Sequence, residues 1–356
     1  MSTFFNKNSK KLNYTNINNI LKKIHNYNYV LLGESTHGTS EFYNIRLAIT
    51  ILLVSKYNFN TILLEMEWSL GYQLNRFIHS KLDITADQLL IQLFKYFPIW
   101  MSCNKYIEHL ILFLKEWNNI NEKKVYIYGI DCQNIDIAQA NLCDEPTLNC
   151  PIVRSIINNY YKMVHSNNYW NMRDQFWFYV LHEIKNYRSS TFILWAHNSH
   201  VGDSSANIRS SDHINIGYLI EQTYDAYIIG FSTNQGEVMA STHWGKRGTI
   251  MKLNPGIKNS YENIFSQICM NKKTNRIIYV CDKKKNILKY FRYIGVIYDK
   301  HNERRAHYIK TNINKEFDII IFINISNAIE PCKLSIKNSS FNVNSFVNNA
   351  KYILDI

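Results

Sequence analysis

Residues 29–38 read YVLLGESTHG, an apolar run that breaks at once into a glycine, a glutamate and a histidine. Tyr29-Val30-Leu31-Leu32 is apolar on both faces, which suits a strand buried inside a parallel sheet rather than one with a solvated side. The same pattern returns three times. Thr61–Leu64 runs into Glu65 and Glu67, Val125–Tyr128 into Gly129-Ile130-Asp131, and Phe192–Trp195 into Ala196-His197-Asn198-Ser199-His200. Tyr227–Ile229, Arg276–Val280 and Asp318–Phe322 are further runs of the same kind. Helical spacing fills the intervals, over about 40–56, 69–79, 105–117 and 171–186; Ile107, Leu110, Ile111 and Leu114 recur at i, i+3, i+4 and i+7. Strands alternating with helices predict βαβ units. The expectation is α/β, with a mostly parallel central sheet flanked by helices. No repeat period and no Pro/Gly-rich linker divides the chain, so residues 1–356 read as a single domain.

Composition narrows the function. The 356 residues, 46% hydrophobic and 19% charged, can bury a large core, which excludes a disordered or disulfide-stapled chain. Cys103, Cys132, Cys143, Cys150, Cys269, Cys281 and Cys332 are odd in number and form no CxxC pair. Neither a disulfide framework nor a cysteine zinc site is expected, and a reducing, cytoplasmic setting fits. The N-terminus is polar and basic with no apolar core of a signal peptide, and no apolar stretch approaches membrane-spanning length. The net charge of +12 is localised. Residues 1–244 hold 20 basic and 20 acidic side chains, whereas residues 245–356 hold 20 against 8. An anionic partner such as nucleic acid is one reading of that excess. A solvated lysine-rich surface on a basic C-terminal portion is preferred, because no RNA- or DNA-binding motif accompanies it.

Ligands of open α/β sheets sit beyond the carboxyl ends of the strands. Four apolar runs here end in Glu34 and His37, Glu65, Asp131, and His197 with His200. Leaving even a neutral polar group buried and unpaired costs about 2–7 kcal/mol, so a core does not collect ionisable groups at these points by accident. Each alone is more often a bystander. Their coincidence points to an active site.

The motifs identify a relationship. LLGESTHGTSEFYNIR (31–46), LLEMEW (63–68), FPIWM (97–101), YGIDCQ (128–133), WNMRDQFW (170–177), ILWAHNSHVGD (193–203), GFSTNQGEVMAS (230–241) with Trp244, YIGVIYDKHNERRAHY (293–308) and EFDIIIFI (316–323) resemble the erythromycin esterase family, especially its succinoglycan-biosynthesis-associated branch. GExTHG followed by WAHNxHV is the specific pair. The resemblance implies an esterase or lactonase acting on a small-molecule ester. It makes His37 the base that activates water, with Glu34 beside it. It also implies that Arg46 reaches a carboxylate or polarises the reacting carbonyl, that Glu65 is the acid after the second strand, and that Arg173 enters the pocket. Between Asp131 and Arg173 the chain has 41 residues, fewer than the family's usual helical insertion. Segments 81–124 and 132–190 are therefore expected to form a reduced helical cleft wall, too open for a macrolide.

Physical alternatives stand beside each role. A carboxylate next to a histidine fixes its tautomer and stabilises the imidazolium, yet a histidine between Gly33 and Gly38 can also cap a helix or bind phosphate. Glu67 reads best as a charge at a helix N-terminus, and Asp174 as the same or as a partner of Arg173. Arg46 without the resemblance is a surface helix arginine. His197 and His200 are either cavity groups or satisfied core histidines, with Asn198 bonding locally to hold the loop. Ser35 is not a nucleophile, because GESTHG has the spacing GxSxxG rather than GxSxG. Two mechanisms share these residues. One is metal-free, with arginines or His197 stabilising the oxyanion. In the other, Glu34, His37, Glu65 and His197 or His200 ligate a divalent ion such as zinc or manganese, on an ester or another bond. No cofactor is expected, a divalent metal being the alternative. A degenerate, ligand-binding member is the non-enzyme reading.

Overall fold

The computed structural model describes residues 2–94, 97–132, 146–207, 212–331 and 342–355. Residues 133–145 of the expected wall, Cys143 and Cys332 lie outside them, as does the side chain of Cys150. Eleven strands form among the described residues. They are β1 (Ser9–Lys11), β2 (Tyr29–Leu32), β3 (Thr61–Glu67), β4 (Tyr126–Asp131), β5 (Phe192–Trp195), β6 (Ala226–Ala240), β7 (Thr249–Leu253), β8 (Arg276–Val280), β9 (Lys289–Arg292), β10 (Tyr308–Thr311) and β11 (Ile319–Ser326).

The main sheet runs β1-β8-β11-β6-β2-β5-β3-β4, with β7 paired to β6; β9 and β10 make a separate antiparallel ribbon. From β11 to β4 every pairing is parallel, while β8, β1 and β7 join antiparallel. The mostly parallel α/β sheet is therefore present. Its side-chain alternation divides two cores. Val30, Leu32, Ile193 and Trp195 face a layer containing the helices Ser40–Tyr57 and Lys105–Ile120. Tyr29, Leu31, Phe192 and Leu194 face the opposite layer, with the helices Pro146–Val164, Tyr169–Tyr187 and Tyr261–Lys272. Ser40–Tyr57 is apolar nearly all round because it is buried on every side. Among the described residues no helix is long and apolar enough to cross a membrane.

Two local features set the geometry at the carboxyl ends. Leu64 pairs with Gly129 and Glu67 with Asp131, so β3 carries one more residue than β4 over that interval. Such a bulge re-aims a side chain, and Glu65 lies inside it. Next to it, a Cβ on Gly71 would sit 1.8 Å from the Gly129 backbone nitrogen. Only glycine lets the helix Trp68–Ile78 press so closely on β4.

The strands β2 and β5 have the expected bounds. β6 runs eleven residues past Ile229, to Ala240, and β1, β7, β9 and β10 were not expected. The helix expected over about 171–186 begins at Tyr169, which puts Arg173 and Asp174 in its second turn rather than at its N-terminus.

Candidate active site

β2, β5, β3 and β4 are neighbours in the sheet, so their carboxyl ends deliver Glu34 and His37, His197 and His200, Glu65, and Asp131 side by side. All six are buried. A cavity of about 530 Å³ opens over them, and His37, Glu65, Asp131, Arg173, His197 and His200 line it.

Glu34 and His37 meet across the tight loop, with Nδ1 of His37 2.9 Å from Oε1 of Glu34. A carboxylate accepts only, so Nδ1 carries the proton and Nε2 of His37 is left towards the cavity. The second oxygen of Glu34 takes Nη2 of Arg46 at 2.7 Å. Arg46 is 2% exposed, lies over the faces of Tyr43 and Trp195, and does not line the cavity. It is neither a surface helix arginine nor placed to polarise a bound carbonyl; of the two expected roles, reaching a carboxylate is the one the structure shows. Burial favours neutral His37, but Glu65 and Glu34 outweigh it and hold its pKa above the usual 6.5.

Glu65 is the hub. Its Oε2 accepts the backbone N–H of His197 at 2.8 Å. Around Oε1 stand Nε2 of His37 at 3.9 Å, Nε2 of His200 at 3.7 Å and Nη2 of Arg173 at 3.5 Å. Burial alone would raise its pKa; His37, His200 and Arg173 together bring it below 4.5.

Arg173 is fixed by Asp131, which accepts Nε at 3.0 Å and Nη2 at 2.6 Å, and also takes Trp177 Nε1 and the Cys132 N–H. That bidentate pair holds Asp131 below its usual value despite burial. Nη1 of Arg173 is 3.4 Å from Nε2 of His200. On the other side of the ring, Nδ1 of His200 is held by both oxygens of Asp174 at 3.0 and 2.9 Å, and Asp174 also accepts the Ile216 N–H. Asp174 thus partners His200 and the first N–H of the helix Ile216–Thr223, rather than Arg173 or the start of its own helix. A second His–carboxylate dyad results, facing the first across Glu65.

His197 differs. Its Nδ1 caps the short helix Asn198–Val201 through the Ser199 N–H, and its ring centroid lies 4.9 Å from that of His37. Burial first, then His37 and His200, depress its pKa well below 6.5, so it is neutral. Asn198 bonds the distant Phe231 backbone through Nδ2 and Oδ1 rather than its own loop. Glu67 occupies the N-cap position of the helix Trp68–Ile78, without a capping bond, and lines the cavity.

The residues of the alternative metal-ligand set are already engaged with one another and with Arg46 and Arg173. Both oxygens of Glu34 are already engaged by His37 and Arg46, and the Arg173 guanidinium stands against Glu65 and His200 where a cation would sit. Among the described residues no group of three or more His, Cys, Asp and Glu side chains is arranged to hold a metal ion.

Asp131, expected only as a strand-end acid, fixes Arg173, and Asp174, expected at a helix N-terminus or on Arg173, fixes His200; both segments expected to form the wall contribute to the lining. Leu93, Phe94, Phe97 and Met101 from the 81–124 segment and Trp170 from the 132–190 segment line the cavity, together with Trp244, Tyr293, Gly295 to Ile297, Ala306 and His307. Arg173 and Asp174 are adjacent on a helix and so point about 100° apart, a signal that they serve different partners.

The fold has known counterparts. A crystal structure of a succinoglycan biosynthesis protein superposes with a TM-score of 0.73 at 17% identity, covering 92% of this chain and 97% of that one. A Bacillus cereus protein gives 0.73 and 17%, with 93% and 98% covered. A mutant of the erythromycin esterase EreC in its open conformation gives 0.60 and 13%, with 90% and 98% covered. The erythromycin esterase family profile matches residues 54–145 and 147–326, spans that include Glu65, Asp131, Arg173, Asp174, His197 and His200. On that match, over most of its length, the chain belongs to the erythromycin esterase family.

Proposed function

We propose that the chain is a hydrolase that cleaves an ester or lactone of a small molecule without a metal ion, using His37 as general base. One observation carries this reading. Nε2 of His37 lies 3.9 Å from Oε1 of Glu65, a gap too long for a hydrogen bond and suited to one bridging water. Glu34 fixes the tautomer that makes Nε2 the acceptor.

In this mechanism His37 takes a proton from that water, and the hydroxide oxygen bonds to the ester carbonyl carbon. The carbonyl oxygen gains negative charge in the field of Arg173. Collapse of the tetrahedral species breaks the bond to the alkoxide, which takes a proton from the cluster, through the His37 imidazolium or His200. An acid and an alcohol leave, and Glu65 stays ionised throughout. Arg46 acts only through Glu34. Membership of the erythromycin esterase family supports the reaction class. The apolar flank of the cavity supports a small-molecule substrate over nucleic acid. Cys103, Cys132, Cys269 and Cys281 are free thiols, which supports a reducing, cytoplasmic location.

The test is hydrolysis of a panel of esters, lactones and amides by the intact protein, the His37→Ala variant and protein treated with EDTA. Loss of turnover in the variant with retention after EDTA is expected. Unchanged turnover in His37→Ala overturns the base. Activity that dies with the chelator and returns with zinc or manganese overturns the metal-free route.

A further inference from the structure

Two tryptophans are exposed in a chain that otherwise buries them. Trp68, Trp100, Trp177 and Trp195 are at most 2% exposed and Trp117 packs on the core, whereas Trp170 is 52% and Trp244 64% exposed. Both line the same cavity, the one above His37 and Glu65. An indole left in water forgoes a large burial free energy, and two doing so at one cleft mark a binding surface.

Their placement relates them to the chemistry. The Trp170 ring lies 5.4 Å from the His200 ring, and the Arg173 guanidinium lies 5.7 Å from its centroid. Trp244 is braced edge-on by Phe97 at 5.1 Å, and Phe97 is in turn braced by Trp100. Leu70, Leu93 and Met101 continue the apolar wall. The charge in the cavity has the opposite sign to that of the whole chain. Among the described lining residues Glu65, Glu67 and Asp131 face one guanidinium, Arg173, which Asp131 already engages in a bidentate pair.

We propose that Trp170 and Trp244 are specificity residues that stack on a ring of the substrate, so that the ester cleaved is a ring-bearing one without a negative charge. This rests on the hydrolase reading above and adds the substrate class to it. An aromatic or saturated ring presents a flat apolar face to an indole, and Trp170 beside His200 puts that ring next to the reacting bond. A carboxylate on the ring would meet Glu65 and Glu67 with no uncommitted guanidinium among the described lining residues to receive it.

Matched acetates test this by pH-stat: benzyl, cyclohexylmethyl, ethyl and 4-carboxybenzyl acetate, whose leaving alcohols are similar in reactivity. The expected kcat/KM for the two neutral ring esters exceeds that of ethyl acetate about tenfold, and the 4-carboxybenzyl ester falls below benzyl by a similar factor. Trp170→Ala and Trp244→Ala are expected to bring the benzyl-to-ethyl ratio towards one through KM, and Trp→Phe at either site to keep most of it. Both rings are exposed, so an unchanged melting temperature should accompany the change in ratio. Binding is read separately as quenching of tryptophan fluorescence by benzyl methyl ether in the His37→Ala protein. Ester hydrolysis with no preference for rings, or a preference that survives both alanine variants, overturns the proposal while leaving the hydrolase intact. Saturable ether binding that both tryptophan variants abolish, with no ester hydrolysed by the intact protein, supports the ring site and overturns the hydrolase reading instead.

Discussion

Nε2 of His37 and Oε1 of Glu65 face each other at 3.9 Å, with no direct hydrogen bond between them. His37 comes from the loop after β2 and Glu65 from the bulge in β3; β5, lying between those strands, completes the cluster. The distance leaves room for a water that donates one proton to the imidazole and the other to the carboxylate. Glu65→Gln keeps the volume but removes the charge that most strongly raises the His37 pKa. Its kcat/KM on a reactive ester is expected to fall by about 10²-fold, in the range of positioned acid–base groups. The acidic limb of the pH–rate profile should also move to lower pH. A limb that stays in place, or moves up, would show that Glu65 does not act on His37.

Asp174 gives a second expected outcome. It grips Nδ1 of His200 with both oxygens and keeps Nε2 of that ring turned towards Glu65 and Arg173. Asp174→Asn leaves the shape but lets the amide donate, which inverts the tautomer that the aspartate selects. Steady-state kinetics should show kcat reduced by about 10²–10³-fold with KM little changed, since the residue does not line the cavity. A change confined to KM would assign Asp174 to the shape of the wall instead.

The sequence made the four strand ends legible because parallel strands buried on both faces are written in unbroken apolar runs, and an ionisable residue at their end is conspicuous. Tyr29–Leu32 and Phe192–Trp195 are bounded correctly for that reason. The strands that escaped notice are edges or ribbons. Ser-Lys-Lys of β1 has two exposed lysines, and β7 is mostly exposed, so neither carries a periodic apolar signal. β6 continues beyond Ile229 through Ser232, Thr233 and Asn234, polar residues that are buried and look like a turn in sequence. The Glu65 bulge depends on pairing with β4, which no local pattern encodes. Asp174 was misassigned because its partner stands 26 residues away on another element.

Arg46 and Glu34 form a fully buried pair at 2.7 Å, so the stability of the fold and the alignment of the base are tied together. Removing one member of a buried pair leaves the other charge uncompensated, at a cost of about 3–5 kcal/mol. Arg46→Met is expected to lower the urea unfolding free energy by that amount. The double variant Arg46→Met with Glu34→Leu should recover much of the loss in stability and none of the activity. A double variant as unstable as the single one would show that the packing of the guanidinium on Tyr43 and Trp195, not the charge, is what the fold needs.

The same His37 proton should appear in activity and in stability with opposite sense. Its pKa is raised in the folded protein, so the stabilisation from Glu65 and Glu34 is fully present below 6.5 and is lost as pH rises through the raised value. Over that interval the base form accumulates, and hydrolysis should increase. Asp131 and Glu65 behave in the reverse way. Their pKa values are lowered, so their contribution is complete above 3.8 and 4.5 and disappears as pH falls through the folded values. Unfolding free energy measured by urea titration across pH should therefore be highest between these limbs and decline on both sides. His37→Ala should flatten the upper decline and Asp131→Asn should reduce the lower one. The wild-type rise in kcat/KM should overlay the part of the upper decline that His37→Ala removes, since Glu108 and Glu221, both pushed up to about 7 by burial, also lose stability there. If activity rises at a pH where the wild-type and His37→Ala stability curves do not diverge, another group governs turnover and His37 is not the base.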